Sequence, residues 1–140
     1  MRINNECARK VLIEVEKIPF GKFITVEELC SKLNEFTMEE VIHITSLYNR
    51  ERYITLIDHM GYDDNDLLRD NRIKGLSDRG YKSLDLLRDD EIWNLMKKKI
   101  DNFNDLSIFT IMSIANKILN VKHNELFNLP ESNLTDYFHW

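Results

Sequence analysis

The chain has 140 residues, of which 43% are hydrophobic and 31% are charged, a composition typical of a folded globular domain. Its net charge of −5 disfavours a general nucleic-acid coat or a membrane-surface protein, because both use excess positive charge. The cysteines, Cys7 and Cys30, provide neither a disulfide framework nor a zinc-binding spacing, so we expect a cytoplasmic location. The sequence predicts neither a signal peptide nor a membrane span.

The first predicted element is a helix that begins at Asn4 or Asn5 and ends near Lys17. Pro19 and Gly21 follow it, and both residue types stop helices. Its apolar residues recur with the i, i+3, i+4, i+7 spacing of a buried stripe: Ala8, Val11, Leu12 and Val15. The next piece, at 23–24, is expected to be extended and to become the third strand of a small sheet.

Two short helices are predicted to follow, at 26–33 and 38–52, with only three residues between the first helix and the cap of the second. Each is preceded by a threonine with a glutamate three residues later, at Thr25 and Glu28 and again at Thr37 and Glu40. In this capping box each side chain satisfies a backbone N–H that the helix leaves without a partner. Such closely joined helices are typical of a helix-turn-helix.

The helix at 38–52 has two distinct faces at 3.6 residues per turn. One face is apolar and is expected to be buried: Val41, Ile44 and Tyr48. The other is the candidate partner-binding face: Glu39, His43, Ser46, Asn49 and Arg50.

Residues 53–57 and 72–76 are predicted to pair as a β-hairpin, joined by a long polar wing at 58–71. Ser77 is expected to cap a fourth helix, whose apolar stripe would contain Tyr81, Leu84 and Leu87. The fold prediction is therefore α+β and mainly α. It is a winged helix-turn-helix with a sheet of two or three strands and a C-terminal helical extension.

The sequence divides into a winged-helix domain at 1–88, a helical extension at 89–120 and a tail at 121–140. The helix at 106–119 is apolar around most of its circumference, which favours burial across a homodimer. The tail ends in aromatic residues, which either pack as an ordinary terminal segment or anchor a partner. These candidate anchors are Tyr137, Phe138 and Trp140.

Five basic residues near the end of the third helix and in the hairpin are candidate phosphate contacts, and the alternative is an ordinary solvated surface. They are Arg50, Arg52, Arg69, Arg72 and Lys74. Glu39 and Glu40 count against DNA because they occupy the first turn of that helix, which usually reaches base edges. The aspartates of the wing have the same effect.

No catalytic residue, cofactor site or metal site is predicted. The segment Asp63-Asp64-Asn65-Asp66 lacks the central glycine and the terminal glutamate of a calcium loop. No nucleophile motif and no phosphate-binding glycine loop occurs. The sequence therefore predicts a protein that is not an enzyme.

Over about residues 3–120 the chain resembles an uncharacterised family of small phage and prophage proteins, classified as a domain of unknown function. The most specific matching motifs are Gly75-Leu76-Ser77-Asp78-Arg79-Gly80-Tyr81 and Arg88-Asp89-Asp90-Glu91-Ile92-Trp93. The resemblance implies a winged-helix core and implies no activity. One departure is Arg52, which stands where such folds often have glycine before the first wing strand.

Together these observations predict a phage-type regulatory module that binds a host or phage protein, either through the winged-helix face or through the aromatic tail. The alternative is a transcriptional regulator that binds DNA with the helix at 38–52 and the wing at 58–71.

Overall fold

The computed structural model describes residues 3–57 and 72–120. In this part of the chain, six α-helices and a three-stranded antiparallel sheet form an α+β fold that is mainly helical. The chain divides into two compact units, Met1–Leu84 and Asp85–Trp140. The elements in chain order are α1 (Asn5–Glu16), β1 (Ile24–Thr25), α2 (Val26–Lys32), α3 (Met38–Arg50), β2 (Ile54–Leu56), β3 (Arg72–Leu76), α4 (Asp78–Leu87), α5 (Asp90–Lys99), a 3-10 turn (Phe103–Asp105) and α6 (Ile108–Leu119).

The first helix has the predicted cap and the predicted buried stripe. The side chain of Asn4 accepts a hydrogen bond from the Cys7 backbone N–H at 3.2 Å. The four apolar residues of the stripe are at most 1% exposed. The fully buried Tyr48 of α3 donates its hydroxyl to the Ala8 carbonyl at 2.9 Å, so a buried hydrogen bond joins α3 to α1.

Both predicted capping boxes are confirmed. The Thr25 hydroxyl accepts from the Glu28 N–H, and the Thr37 hydroxyl accepts from the Glu40 N–H, each at 3.1 Å. The two glutamates accept in return from the threonine backbone N–H groups. The helical pattern of α2 also predicts Cys30 on the buried side together with Val26, Leu29 and Leu33, and this is wrong for Cys30, which is only half-buried.

The predicted pairing of residues 53–57 with residues 72–76 is confirmed, although the first strand is shorter than predicted. The strand order is β1-β3-β2, so β3 lies between the other two strands. On one side Ile24 pairs with Ile73, and on the other side Ile54 pairs with Leu76. The register shifts by one residue between Thr55 and Leu56, which leaves Lys74 as the extra residue of a β-bulge.

The end of α3 is a Schellman motif. The helix ends at Arg50, two residues before the predicted end, and Tyr53 N–H donates back to the Tyr48 carbonyl at 2.8 Å. Arg52 N–H donates to the Asn49 carbonyl at 3.1 Å. Arg52 takes the left-handed position that usually belongs to glycine, with φ of 64°. For a residue with a Cβ this conformation costs about 1 kcal/mol.

The turn between β3 and α4 packs against the segment that leads into β2. Ser77 caps α4 by accepting from the Gly80 N–H at 3.0 Å. Gly80 lies so close to the residue before β2 that a Cβ would collide with the Tyr53 carbonyl oxygen. Because Gly80 takes an inward position, the prediction for Tyr81 is wrong: this side chain is 46% exposed, whereas Leu84 and Leu87 are buried as expected.

The second unit contains α5, the 3-10 turn and α6. Asp89 caps α5, and Trp93 packs edge-on against Phe103 with the ring centroids 5.1 Å apart. Most apolar residues of α6 are buried within a single chain, although Leu119 is 51% exposed. A second copy is therefore not needed to cover this helix, and the homodimer through 106–119 stays a prediction.

Candidate partner-binding interface

The start of α3 presents an apolar and an acidic side chain to solvent. Met38, the first residue of the helix, is 59% exposed, and Glu39 beside it is also exposed. Ile42 lies one turn further along the same side and is half-buried, so it extends the apolar surface of Met38. Met38 was not among the predicted site residues, although the helical periodicity already excludes it from the buried stripe.

The middle of the predicted face is less accessible than the sequence suggests. His43 and Asn49 are half-buried. Ser46 is only 5% exposed, so its expected place on an open face is wrong. Periodicity considers only the residues of the helix itself, and it does not include the other parts of the chain that cover a helix. The accessible part of the face therefore lies at its two ends, with Glu39 at the start and the exposed Arg50 at the finish.

Glu40 has a structural role. Its carboxylate accepts from the Asn4 side-chain amide at 2.7 Å and from the Thr37 backbone N–H at 3.0 Å. These bonds connect the caps of α1 and α3. The Thr37 N–H and then the Asn4 amide hold the pKa of Glu40 below its ordinary value of 4.5, because both stabilise the charged form.

This lowered pKa predicts an acid-sensitive link between α1 and α3. Because the folded-state pKa lies below the unfolded-state pKa, the stabilisation is fully present above about pH 4.5 and is lost as pH falls through the folded-state value. We expect Glu40→Gln to lower stability at neutral pH and to flatten the loss on acidification. Urea denaturation from about pH 6 to about pH 3 measures this. Glu39→Gln is the matched control, and equal flattening in both variants would contradict the assignment.

Basic residues occur at the other end of α3 and along β3. Arg50 and Arg52 are exposed at the end of the helix. On β3, Lys74 is exposed at the bulge, and the half-buried Arg72 pairs with Thr25 of β1. Arg69, the fifth candidate phosphate contact, lies outside the described residues.

Arg79 belongs to the same region and was missed as a site residue. Its guanidinium lies over the Tyr53 ring, 4.5 Å from the centroid, and donates to the Glu51 carbonyl at 2.8 Å. It therefore joins the start of α4 to the turn that follows α3. A signal is present in the sequence, since Arg79 belongs to the first of the two motifs that carry the family resemblance.

The wing at 58–71 and the candidate anchors Tyr137, Phe138 and Trp140 lie outside the described residues. Among the helices that the structure describes, none is long and apolar enough to cross a membrane. Within residues 3–57 and 72–120, no group of His, Cys, Asp or Glu side chains is arranged to hold a metal ion.

Comparison with known proteins shows the family to which the chain belongs. No curated protein and no solved structure matches the chain. Residues 2–105 match a protein family described as "Hypothetical protein (DUF2513)", which includes the whole of the candidate interface that the structure describes. The chain therefore belongs to the DUF2513 family of hypothetical proteins.

Proposed function

We propose that the chain is a non-catalytic regulatory module of phage type whose first domain is a winged helix-turn-helix, and that this domain binds a host or phage protein. The order of elements supports the fold: three helices, with a short strand before the second, precede two paired strands. The strand order β1-β3-β2 supports it too, because the first strand then pairs with the last. In this arrangement α3 is the recognition helix.

The observation that carries the protein-binding proposal is the exposed start of α3. Met38 is an exposed methionine on a regular helix, and its side chain adapts well to an apolar surface of another protein. Glu39 is exposed beside it and would repel phosphate. No Lys or Arg occurs in α3 before Arg50, its last residue. The part of the helix that would reach base edges therefore favours a protein surface.

A capture experiment tests the proposal. The tagged full-length chain is incubated with host lysate, and captured proteins are quantified by mass spectrometry. We expect Met38→Glu to reduce capture of a stoichiometric partner about tenfold, since a central interface side chain contributes at least that much. Glutamate suits the first turn of a helix, so the variant should fold. The matched control is Phe20→Glu, which changes a fully exposed apolar residue between α1 and β1.

Equal capture of the partner by the wild type, Met38→Glu and Phe20→Glu would exclude the α3 face as the binding surface. Truncation after Pro130 tests the other surface that the sequence offers, the aromatic tail, because loss of the partner on truncation alone would assign binding to the tail and not to α3.

The alternative, a regulator that binds DNA, is favoured by the basic residues at the end of α3 and by Lys74 at the bulge, since bulges redirect side chains. An electrophoretic shift with genomic fragments tests it. Specific binding that weakens steeply with salt would favour the DNA-binding function over the protein-binding function. The slope of the logarithm of affinity against the logarithm of salt concentration should then fall by about 1 in each of Arg50→Ala, Arg72→Ala and Lys74→Ala.

A further inference from the structure

Arg52 occupies a position at which its side chain is a disadvantage to the fold. It is the residue after the cap of α3, with φ of 64°, where glycine is favoured because it has no Cβ. Both backbone bonds of the Schellman motif form there, so the conformation is fixed by the surrounding structure. A strained residue that persists in a fixed conformation points to a role for its side chain.

The usual structural role of a basic residue at this position is already filled by other groups. Arginine near a helix end can bind the last carbonyls. Here Arg79 donates to the Glu51 carbonyl at 2.8 Å, and the Ser77 hydroxyl donates to the Arg52 carbonyl at 2.6 Å. The backbone N–H groups of Arg52 and Tyr53 occupy the carbonyls of Asn49 and Tyr48.

Among the described residues, the guanidinium of Arg52 has no structural role of its own. Its side chain is exposed, and across residues 3–57 and 72–120 it makes no hydrogen bond or ion pair. The backbone beneath it is held on two sides, by Ser77 and by the end of α3. A planar guanidinium on a rigid turn is well suited to bind a carboxylate through two parallel hydrogen bonds.

We propose that Arg52 is a contact residue that binds a carboxylate side chain of the protein partner of α3. This inference rests on the proposed function. The inference adds that the part of the partner that contacts the end of α3 is acidic, unlike the part that contacts Met38 and Glu39. The local charge supports it, because three arginines lie at this turn, Arg50, Arg52 and Arg79, against two acidic residues, Glu51 and Asp78.

The test uses the full-length chain labelled with ¹⁵N, an oligoglutamate peptide as the probe and duplex DNA of similar charge as the comparison. We expect the peptide to shift the Arg52 side-chain Nε–H signal, and Arg52→Gly to weaken peptide binding about tenfold. Arg52→Lys should recover part of the binding, since it keeps the charge but loses the planar fork. Lys22→Gly, which removes an exposed charge between α1 and β1, should leave binding within about twofold.

Thermal unfolding supplies a second measurement. If the side chain is retained for binding, Arg52→Gly should raise the unfolding midpoint by about 3 °C, because it relieves the left-handed conformation. A lowered or unchanged midpoint would mean that Arg52 supports the fold, and this would overturn the proposal. An unmoved Arg52 signal, or a shift caused by DNA and not by the peptide, would overturn it as well. Equal capture of the partner by wild type and Met38→Glu would instead count against the proposed function and leave these results standing.

Discussion

Replacing Gly80 with alanine should destabilise the first unit by about 2 kcal/mol, although alanine is the better helix former by about 1 kcal/mol. The reason is a collision with backbone. A methyl group at Gly80 would meet the Tyr53 carbonyl oxygen and would lie 3.2 Å from the Leu76 Cβ. The Tyr53 carbonyl cannot easily withdraw, because it accepts from the Ser77 N–H at 3.1 Å. The turn between β3 and α4 would have to open.

Urea denaturation, monitored by circular dichroism, measures the loss in the free energy of unfolding. Hydrogen exchange of peptides from α1 and α3 assigns this loss to the first unit. The matched control is Gly75→Ala, because no described atom lies within 4 Å of a Cβ built at Gly75. This control should change the free energy of unfolding by less than about 0.5 kcal/mol. Equal destabilisation by the two substitutions would show that the close contact at Gly80 does not matter to the fold.

Replacing Tyr48 with alanine should have the larger effect, about 4 kcal/mol, because the side chain is completely buried where α3 packs against α1. The substitution removes the hydrogen bond to the Ala8 carbonyl and the packing against Tyr53, whose ring centroid is 5.5 Å away. Tyr48→Phe keeps the ring and removes only the hydroxyl, so it should cost about 1 kcal/mol.

The same denaturation experiment separates these contributions. Tyr81→Ala is the control, since Tyr81 is 46% exposed in α4 and should contribute less than about 0.5 kcal/mol. A loss at Tyr81 that matches the loss at Tyr48 would contradict the buried connection between α1 and α3.

The parts of the fold that could be predicted are those determined by neighbouring residues. The capping boxes of Thr25 with Glu28 and Thr37 with Glu40 use residues only three apart, and both occur as predicted. The strand pairing could be predicted because residues 53–57 are rich in β-branched and aromatic residues and a polar stretch separates them from the second segment. Sequence pattern determines such features before any tertiary contact forms.

The parts that could not be predicted depend on residues distant in sequence. Ser46 is buried although its helical position faces away from the core stripe, since periodicity does not consider what covers a helix. Tyr81 is exposed because Gly80 approaches Tyr53, 27 positions earlier in the chain. The residue type of Arg52 does not indicate its left-handed conformation, because such positions are recognised by glycine or asparagine. The one indication was the family resemblance, in which glycine often stands at this position.

The candidate site was predicted in part. Glu39 and Arg50 are exposed at the two ends of α3 as expected, whereas Met38 and Arg79 were missed. Whether the partner is a protein or DNA is a property of the complex. The sequence of this chain determines only the surface that the partner would contact. That surface begins with an acidic and an apolar side chain and ends with arginine, which is why a protein partner is proposed.

Photocrosslinking in host cells tests most directly whether the start of α3 contacts a protein. A benzophenone amino acid replaces Met38 in one sample and Phe20, another exposed apolar residue, in the other. We expect a discrete protein adduct from position 38 and none from position 20. A nucleic-acid adduct from position 38, the same protein adducts from both positions, or no adduct from position 38 would contradict the proposed function.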